Sequence, residues 1–329
     1  MKSPQFDYCK PASLDEVFSL LTQHGDDARI LAGGQTLMAT LNMRLSEPAL
    51  LIDITGLKAL RGIRVQGDRL YIGALTTHTD IEGSALVAQH APMLAQAAPH
   101  IAHRAIRNSG TWGGSIAYGD PAAEWPCCLC ALDGTVHLQG AGGARQVSAT
   151  DFFQDLYTTA LQPGEIVVGA DVPLAGAADW VGFDELARRH GDYAVAGLAV
   201  AARFQGTQAQ RVHLSFLGIG PIPLRARRTE AVLAGKTLDT ATIEIAVASL
   251  KAELDPLPDL THSADTKRHL ATVLARRLLQ DDHARLLRKL NPKGAAGGGL
   301  PKGSAGESST SSVGALSPGP LERSHSALS

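Results

Sequence analysis

The sequence contains no apolar run long enough to cross a membrane, and its N-terminus from Met1 to Lys10 lacks the apolar stretch of a secretory signal. It also has no excess of positive charge, because 30 Lys and Arg residues are opposed by 32 Asp and Glu residues. A formal net charge of -2 gives no electrostatic reason to expect nucleic acid or an anionic membrane as a partner. We therefore expect a cytoplasmic protein with no membrane span and no nucleic-acid partner.

Cysteine is scarce as well, with four in the whole chain. Three of them, Cys127, Cys128 and Cys130, fall within one short segment. This spacing suits neither a disulfide framework nor a C-x-x-C metal clip, and free cysteine is among the most buried residue types. We expect these thiols to be reduced and to act as small buried apolar side chains.

The chain is long and apolar enough for several domains, since 44% of its 329 residues are hydrophobic. Helical and strand periodicity predicts an α/β fold of three structured units, residues 1–56, 57–175 and 176–290. From Asn291 onward, Gly, Ser and Pro make up about half of the residues and little is left to bury. Residues 291–329 are therefore predicted to be a disordered tail.

Local signals predict the elements within these units. A capping box at Ser13 begins a helix that runs to about Gln23, and Thr77 caps a short helix. A Gly67-Asp68 turn joins the two strands of a hairpin. The other predicted elements are helices over about 37–45 and 85–98, a helix with Leu270, Leu274 and Leu278 on one side, and strands over 30–32, 50–54, 135–138, 165–172, 193–204 and 212–217.

The first candidate site is the segment Ala32-Gly33-Gly34-Gln35-Thr36, at the end of a strand and the start of a helix. Unpaired backbone N–H groups converge at such a point and attract a phosphate, and Thr36 adds a hydroxyl donor. Glycine permits unusual backbone angles and the close approach of an anion. A tight turn without a ligand is the alternative for this pair alone, and neither G-x-G-x-x-G nor a P-loop motif is present.

A second glycine pair lies in the segment Thr111-Trp112-Gly113-Gly114-Ser115, which also ends in a hydroxyl residue. Two such loops suit the two phosphoryl groups of a dinucleotide held between subdomains. Asp120 and Glu124 then offer carboxylates to ribose or ribityl hydroxyl groups. Helix N-terminal capping is the alternative role for these two acids.

Three segments together resemble a known family: Ala32 to Thr36, Ile106-Arg107-Asn108-x-Gly-Thr-x-Gly-Gly-Ser, and Asp120-Pro121-Ala122-Ala123-Glu124. In this order and spacing they closely resemble the FAD-binding medium subunits of the molybdenum hydroxylases, which include carbon monoxide dehydrogenase, bacterial xanthine dehydrogenases and N-heterocycle hydroxylases. The resemblance extends from about Phe6 to Leu290. It implies a vanillyl-alcohol-oxidase-like (PCMH-type) FAD-binding fold of two α/β subdomains, followed by a C-terminal α/β domain like that of the CO dehydrogenase flavoprotein.

The resemblance also implies which residues bind FAD. Both glycine segments would hold the pyrophosphate through backbone donors, Glu124 would contact FAD, and apolar side chains would meet the flavin or adenine. The residues so implied are Ala32, Gly33, Gly34, Gln35, Thr36, Leu37, Ile101, Thr111, Trp112, Gly113, Gly114, Ser115, Asp120, Glu124, Ile166 or Val167, and Tyr193.

The segment from Arg188 to Ala194 is similar to the family's R-x-G-D-F/Y-A pattern, with additional residues around His190. This similarity implies that Tyr193 approaches the isoalloxazine ring, and the alternative is an ordinary aromatic residue at a strand edge. Asp184 stands near a position where some eukaryotic relatives carry Lys. A basic residue there favours an anionic reduced flavin, so its absence puts the role of NAD as the final acceptor in doubt.

Electron transfer, without substrate hydroxylation, is the activity that the resemblance implies for this chain. Four cysteines cannot ligate two iron-sulfur clusters, so 2Fe-2S clusters are expected on a small partner subunit and the molybdenum cofactor on a large molybdopterin subunit. FAD would pass electrons from the clusters to quinone, NAD, oxygen or another external acceptor. Two alternatives stay open: a self-sufficient flavin oxidase or dehydrogenase, and an FAD-free scaffold subunit.

Overall fold

A computed structural model describes residues 2–290 of the chain. The predicted disordered tail, residues 291–329, lies outside the described residues. Among residues 2–290, no helix is both long and apolar enough to span a bilayer. The α/β class predicted from the sequence is confirmed, with β-sheets and helices alternating along the chain.

The first sheet has three parallel strands in the order β1-β3-β2. Parallel neighbours require crossover connections, which two helices provide. Its elements are β1 (Asp7–Cys9), α1 (Leu14–His24), β2 (Ala28–Leu31), α2 (Leu37–Asn42) and β3 (Leu50–Asp53), with single 3-10 turns at Gly25–Asp27 and Lys58–Leu60. As predicted, the hydroxyl of Ser13 caps α1 by accepting the N–H of Glu16.

The second sheet has five antiparallel strands in the order β4-β5-β10-β6-β7, and β8 and β9 form a separate two-stranded ribbon. Its strands and those of the ribbon are β4 (Ile63–Gln66), β5 (Arg69–Gly73), β6 (Thr135–Gly140), β7 (Gly143–Ser148), β8 (Phe153–Asp155), β9 (Thr158–Thr159) and β10 (Ile166–Pro173). The helices of this part are α3 (His78–Glu82), α4 (Ala85–His90), α5 (Pro92–Ala97), α6 (Arg104–Arg107), α7 (Trp112–Tyr118), α8 (Glu124–Ala131) and α9 (Ala149–Phe152), with a 3-10 turn at Ala98–His100.

The third sheet is antiparallel in the order β11-β12-β13-β14, with β15 paired to β13. Three helices pack against it and against one another. Its elements are β11 (Asp179–Leu186), β12 (Ala196–Gln205), β13 (Gln208–Leu217), β14 (Leu224–Arg225), α10 (Arg227–Leu233), β15 (Lys236–Thr237), α11 (Thr240–Glu253) and α12 (Ala264–Leu290). The predicted boundaries at residues 56 and 175 stay predictions.

Two element predictions were wrong for identifiable reasons. The helix expected over 85–98 is broken into α4 and α5 because Pro92 has no N–H to continue it, and Pro92 instead begins the second helix. The strand expected from Tyr193 begins only at Ala196, which leaves Tyr193 in the preceding loop with 68% of its surface exposed.

The apolar core lies on both sides of α8. One cluster joins the second sheet to α5, α7 and α8 and includes the fully buried Trp112 and Trp125. A second cluster lies between the third sheet and α10 to α12, and a third lies beneath the first sheet. Leu75 and Ile166, from the part of the chain that forms the second sheet, belong to that third cluster, so the first and second sheets share it. Both residues also line a cavity.

Candidate functional site

The two glycine segments, far apart in sequence, touch each other in the structure. A Cβ atom added to Gly33 would overlap the carbonyl oxygen of Ser109 and would lie 2.9 Å from the Cα of Gly110. A Cβ added to Gly114 would lie 4.0 Å from the Cβ of Ala32. The strand-to-helix loop after β2 and the N-terminus of α7 therefore form one junction.

The first segment presents open backbone donors at this junction. Gly34 has a φ of 71°, a left-handed conformation that glycine adopts without strain. In residues 2–290 no protein group accepts the N–H of Gly34, Gln35 or Thr36, and Thr36 at the N-cap of α2 makes no side-chain cap. Converging N–H groups at the start of a helix form a concave site for an anion.

The second segment uses most of its backbone donors within the protein. The N–H of Trp112 donates to Thr76 O at 2.9 Å, and that of Gly113 donates to Ala74 O at 2.8 Å. The hydroxyl of Thr111 caps α7 by accepting the N–H of Gly114 at 3.2 Å. In the described part of the chain, the N–H of Thr111 is the one main-chain donor of this segment without a partner.

Gly113 is required for packing rather than for the approach of a ligand. A Cβ at Gly113 would overlap the Cβ of Ala74 and would lie 2.7 Å from its Cα. The pair Gly113-Gly114 therefore lies in the first turn of α7 and not in a loop. This first turn packs closely against the residue that follows β5. The N–H of Gly113 is thus used within the protein, while the expected contact of this segment with FAD stays a prediction.

A cavity of about 910 Å³ opens at the junction and extends along α2, α7 and the loop before β12. Its size is within the roughly 300–1,000 Å³ range of small-molecule sites. It brings together nearly all residues singled out from the sequence: Ala32, Gly33, Gly34, Gln35, Thr36, Leu37, Ile101, Thr111, Gly113, Gly114, Ser115, Asp120, Glu124, Ile166, Val167 and Tyr193.

Trp112 is the predicted residue that does not line the cavity. Its side chain is fully buried and packs edge-on against Trp125, with ring centroids 5.2 Å apart. Because successive residues of α7 point in different directions, the neighbours of Trp112 face the cavity while its indole faces the core. Trp112 therefore anchors α7 in the apolar core beneath the cavity and does not contact the ligand space itself.

The two predicted carboxylates line the cavity in different environments. Asp120 is buried and accepts the N–H of Ala122 at 2.8 Å, which forms a local turn, so the alternative of a helix N-cap is wrong because α8 begins only at Glu124. Burial raises the pKa of Asp120. Burial, and then the nearby Glu185 carboxylate, raise the pKa of Glu124 to about 8. At neutral pH Glu124 is therefore mainly protonated and presents both a donor and an acceptor.

Three tyrosines surround one end of the cavity: Tyr118, Tyr157 and Tyr193. The rings of Tyr118 and Tyr157 lie 5.0 Å apart, and Tyr157 is held at a φ of 53°. Of the three, Tyr193 alone was expected from the sequence, because Tyr157 lies between β8 and β9, a ribbon that carries no strong strand pattern. Aromatic faces at the mouth of a cavity suit a planar ring system.

His78 is the one cavity-lining histidine whose partner the structure defines. Its Nδ1 accepts the indole N–H of Trp125 at 3.0 Å, and its own backbone N–H donates to Gly110 O at 3.0 Å. Burial, and then the charge of Arg107, lower the pKa of His78 to about 4. No local sequence pattern indicates the pairing of His78 with a tryptophan 47 residues away.

The charges around the cavity are mostly acidic. Arg29 is the only Lys or Arg in its lining across the described residues, and its guanidinium donates to main-chain carbonyls of Asp26 and Ala28. Asp184 lies outside the lining and forms an ion pair with Arg277 on α12. An anion that binds in this cavity would therefore be held chiefly by uncharged hydrogen-bond donors, such as main-chain N–H groups, and not by basic side chains.

No group of His, Cys, Asp and Glu side chains within residues 2–281 has the geometry of a metal site. Cys127, Cys128 and Cys130 are free and buried, as expected. Burial raises the pKa of all three thiols.

Comparison with known proteins identifies the family. Residues 4–175 match the FAD binding domain in molybdopterin dehydrogenase, and residues 182–281 match the CO dehydrogenase flavoprotein C-terminal domain. The chain belongs to this family of FAD-binding subunits. The family and fold expected from the paired glycine segments are thereby confirmed.

Individual relatives agree over nearly their whole length. The 6-hydroxypseudooxynicotine dehydrogenase complex subunit alpha of Paenarthrobacter nicotinovorans is 38% identical, over 85% of this chain and 95% of that protein. The carbon monoxide dehydrogenase medium chain of Hydrogenophaga pseudoflava is 35% identical, over 87% of this chain and 99% of that protein. A solved structure of carbon monoxide dehydrogenase from the same organism superposes with a TM-score of 0.84 at 37% identity, over 87% of this chain and 99% of that one.

The residues of the cavity fit FAD, the cofactor of this family. Open N–H groups at Gly34, Gln35 and Thr36 suit a diphosphate without any metal ligand, and a left-handed glycine shapes the turn that presents them. The tyrosines at one end suit the flavin ring.

Proposed function

We propose that this chain is the electron-transfer subunit of a three-subunit molybdenum hydroxylase. When bound, FAD supplies the chemistry that collects single electrons from 2Fe-2S clusters of a small partner and passes them in pairs to an external acceptor. The molybdenum cofactor would belong to a large partner. The observation that carries the proposal is the junction of Gly33 with Ser109 and Gly110, which forms one cavity from two glycine segments.

The residues of the chain have distinct parts in this proposal. The backbone of Gly34 to Thr36 would hold the diphosphate, joined from the other side by the N–H of Thr111. Glu124 would face ribityl or ribose hydroxyl groups, and Ile101, Ile166 and Val167 would exclude water from the bound cofactor. Backbone donation from the whole second segment, as expected from the sequence, is not part of the proposal because Trp112 and Gly113 donate within the protein.

Tyr193 would contact the isoalloxazine ring from an exposed loop. A ring at this end of the cavity would lie close to the protein surface, where a partner's cluster and a diffusing acceptor can reach it. The acceptor would be quinone, NAD, oxygen or another carrier, and the absence of a Lys or Arg beside Tyr193 in the described lining favours none of them over the others.

Two preparations test the proposal. The full chain purified alone should bind FAD, and organic substrates should leave that FAD oxidised under anaerobic conditions. The tagged chain purified from its own cells should carry iron and molybdenum with two further subunits, and substrate should then reduce the FAD. Reduction in the chain alone would indicate a self-sufficient oxidase, and a chain with no affinity for FAD would indicate a scaffold.

A further inference from the structure

His78 lines the cavity, and the described residues provide no acceptor for the N–H group of its imidazole. Its residue is only 6% exposed, and it lines the cavity beside Gly110, where an added Cβ would lie 2.7 Å from Nε2. Among residues 2–281, no group accepts a hydrogen bond from Nε2. Nε2 is not among the fully buried polar atoms that lack a partner, so it is accessible from the cavity, where a ligand can offer it an acceptor.

Trp125 determines which nitrogen of His78 carries the proton. An indole N–H can only donate, so Nδ1 of His78 must be the acceptor of this 3.0 Å bond. The neutral imidazole then carries its hydrogen on Nε2, the nitrogen next to the cavity. Trp125 is fully buried and packs against Trp112, so the imidazole is held in one orientation.

The position of His78 relates it to the diphosphate rather than to the ring. Gly110 contacts Gly33 on one side and Nε2 of His78 on the other, so one residue separates this nitrogen from the open N–H groups of the first segment. The three tyrosines, of which Tyr118 is the last residue of α7, line the part of the cavity where the flavin ring would bind. The second segment also has few main-chain donors left, because Trp112 and Gly113 use theirs within the protein.

We propose that His78 donates its Nε2–H to a diphosphate oxygen of bound FAD, and that Trp125 is a positioning residue that fixes this tautomer. The proposal rests on the proposed function, since it requires FAD in this cavity. His78 would thus supply an uncharged donor to the diphosphate. The main-chain N–H groups of Trp112 and Gly113 cannot do so, because they donate within the protein.

The main test compares substitutions of His78 in the purified full chain. In His78→Leu, the dissociation constant of FAD should rise roughly 10- to 100-fold, as expected for the loss of a hydrogen bond to a charged group. His78→Gln keeps an N–H donor near the same place and should recover most of the affinity. Trp125→Phe should raise the dissociation constant by roughly threefold to tenfold, since the imidazole is no longer held in one tautomer.

A second readout separates the diphosphate from the flavin ring as the acceptor. The midpoint potential of bound FAD, measured at saturating FAD, should be the same in His78→Leu, His78→Gln and the unmodified chain. A shifted potential would place the acceptor on the ring and overturn the proposal. His90→Leu is the control, because the described contacts of His90 include no cavity residue, and it should change neither quantity.

A measurement on the unmodified chain covers the case in which His78→Leu does not fold. The Nε2–H proton resonance of His78, assigned by its loss in His78→Gln, should move downfield and exchange slowly with water when FAD is added. An unchanged resonance, or equal FAD affinity in folded His78→Leu, overturns the proposal while FAD binding by the unmodified chain still supports the proposed function. If the unmodified chain does not bind FAD, the proposed function itself fails.

Discussion

Gly33 and Ser109 are in direct contact, and no side chain fits between them. The two residues belong to loops 76 positions apart, and the contact closes the junction from which the cavity opens. Gly33 has an ordinary backbone conformation, so a substitution there is opposed by the Ser109 carbonyl and not by strain at φ. The glycine is therefore required for the approach of one chain segment to another.

Gly33→Ala should weaken FAD binding at least about tenfold and destabilise the fold by about 1–3 kcal/mol, because the loops must separate to admit the methyl group. FAD titration and urea unfolding of the same preparation measure the two effects. Gly142→Ala is the matched control, since a Cβ at Gly142 meets nothing within 4 Å. Unchanged FAD affinity in Gly33→Ala would show that the junction is not needed for binding.

Gly114→Val should abolish FAD retention while the fold persists. A Cβ at Gly114 would lie 2.8 Å from Oγ1 of Thr111, so the substitution also weakens the cap of α7, at a cost of about 1 kcal/mol. The flavin absorbance of the purified variant and its unfolding temperature provide the comparison. Normal flavin content in soluble Gly114→Val protein would argue against the assignment of this segment to the cofactor.

The sequence singled out residues that the structure brings together at one cavity, because each glycine segment carries a local signal. Strand, glycine pair and helix start are contiguous at Gly33 and Gly34, so their place at a strand end followed from periodicity alone. The role of Gly113 could not be predicted, because it depends on contact with Ala74, which lies 39 positions earlier. The His78–Trp125 pair was missed for the same reason, since no local pattern records a contact between distant side chains.

The fold was predicted best where turn chemistry and periodicity agree. The hairpin of β4 and β5 around Gly67 is an example, and Gly67 has the left-handed φ of 61° that such a turn requires. The strand β11 was not predicted, because its residues Asp179 to Leu186 mix charged and apolar positions at a sheet edge that α12 covers. Burial by a distant helix leaves no periodic pattern in the strand that it covers.

Glu124 should make the stability of the FAD-free chain depend on pH. Its pKa rises from 4.5 to about 8 on folding, so the folded state binds a proton more tightly than the unfolded state. This contribution is fully present below about pH 4.5 and is lost as pH rises through about 8. Glu124→Gln should therefore unfold at a similar temperature to the unmodified chain at pH 4.5 and at a higher temperature at pH 9. Parallel curves of unfolding temperature against pH would contradict this role of Glu124.

The ion pair of Arg225 and Glu230 should be important for stability because both side chains are buried. Arg225 Nε donates to Oε1 of Glu230 at 2.6 Å, and Arg225 Nη1 donates to Cys130 O on α8 at 2.8 Å. Glu230→Gln leaves the buried charge of Arg225 with a weaker partner, the half-exposed Asp133 at 3.4 Å, and should lower the free energy of unfolding by about 3 kcal/mol. Denaturant titration measures the change.

The exposed pair of Arg276 and Glu244 is a matched control for that prediction. Its closest N–O distance is also 2.6 Å, but the side chains are 39% and 48% exposed. Glu244→Gln should therefore cost less than about 1 kcal/mol. Equal losses in Glu230→Gln and Glu244→Gln would show that burial of the first pair does not determine its contribution.

The thiols of α8 should be unreactive as long as the helix is packed. The S–H of Cys127 donates to Ser215 O on β13 at 3.0 Å, and burial raises its pKa to about 12, so almost no thiolate forms at pH 8.

Cys9 on β1 is only partly buried. An aromatic disulfide reagent at pH 8 should therefore titrate about one thiol rapidly in the folded chain and all four after denaturation. Cys9→Ser should remove the rapid phase, whereas rapid reaction of a second thiol in that variant would show that α8 opens readily in the folded chain.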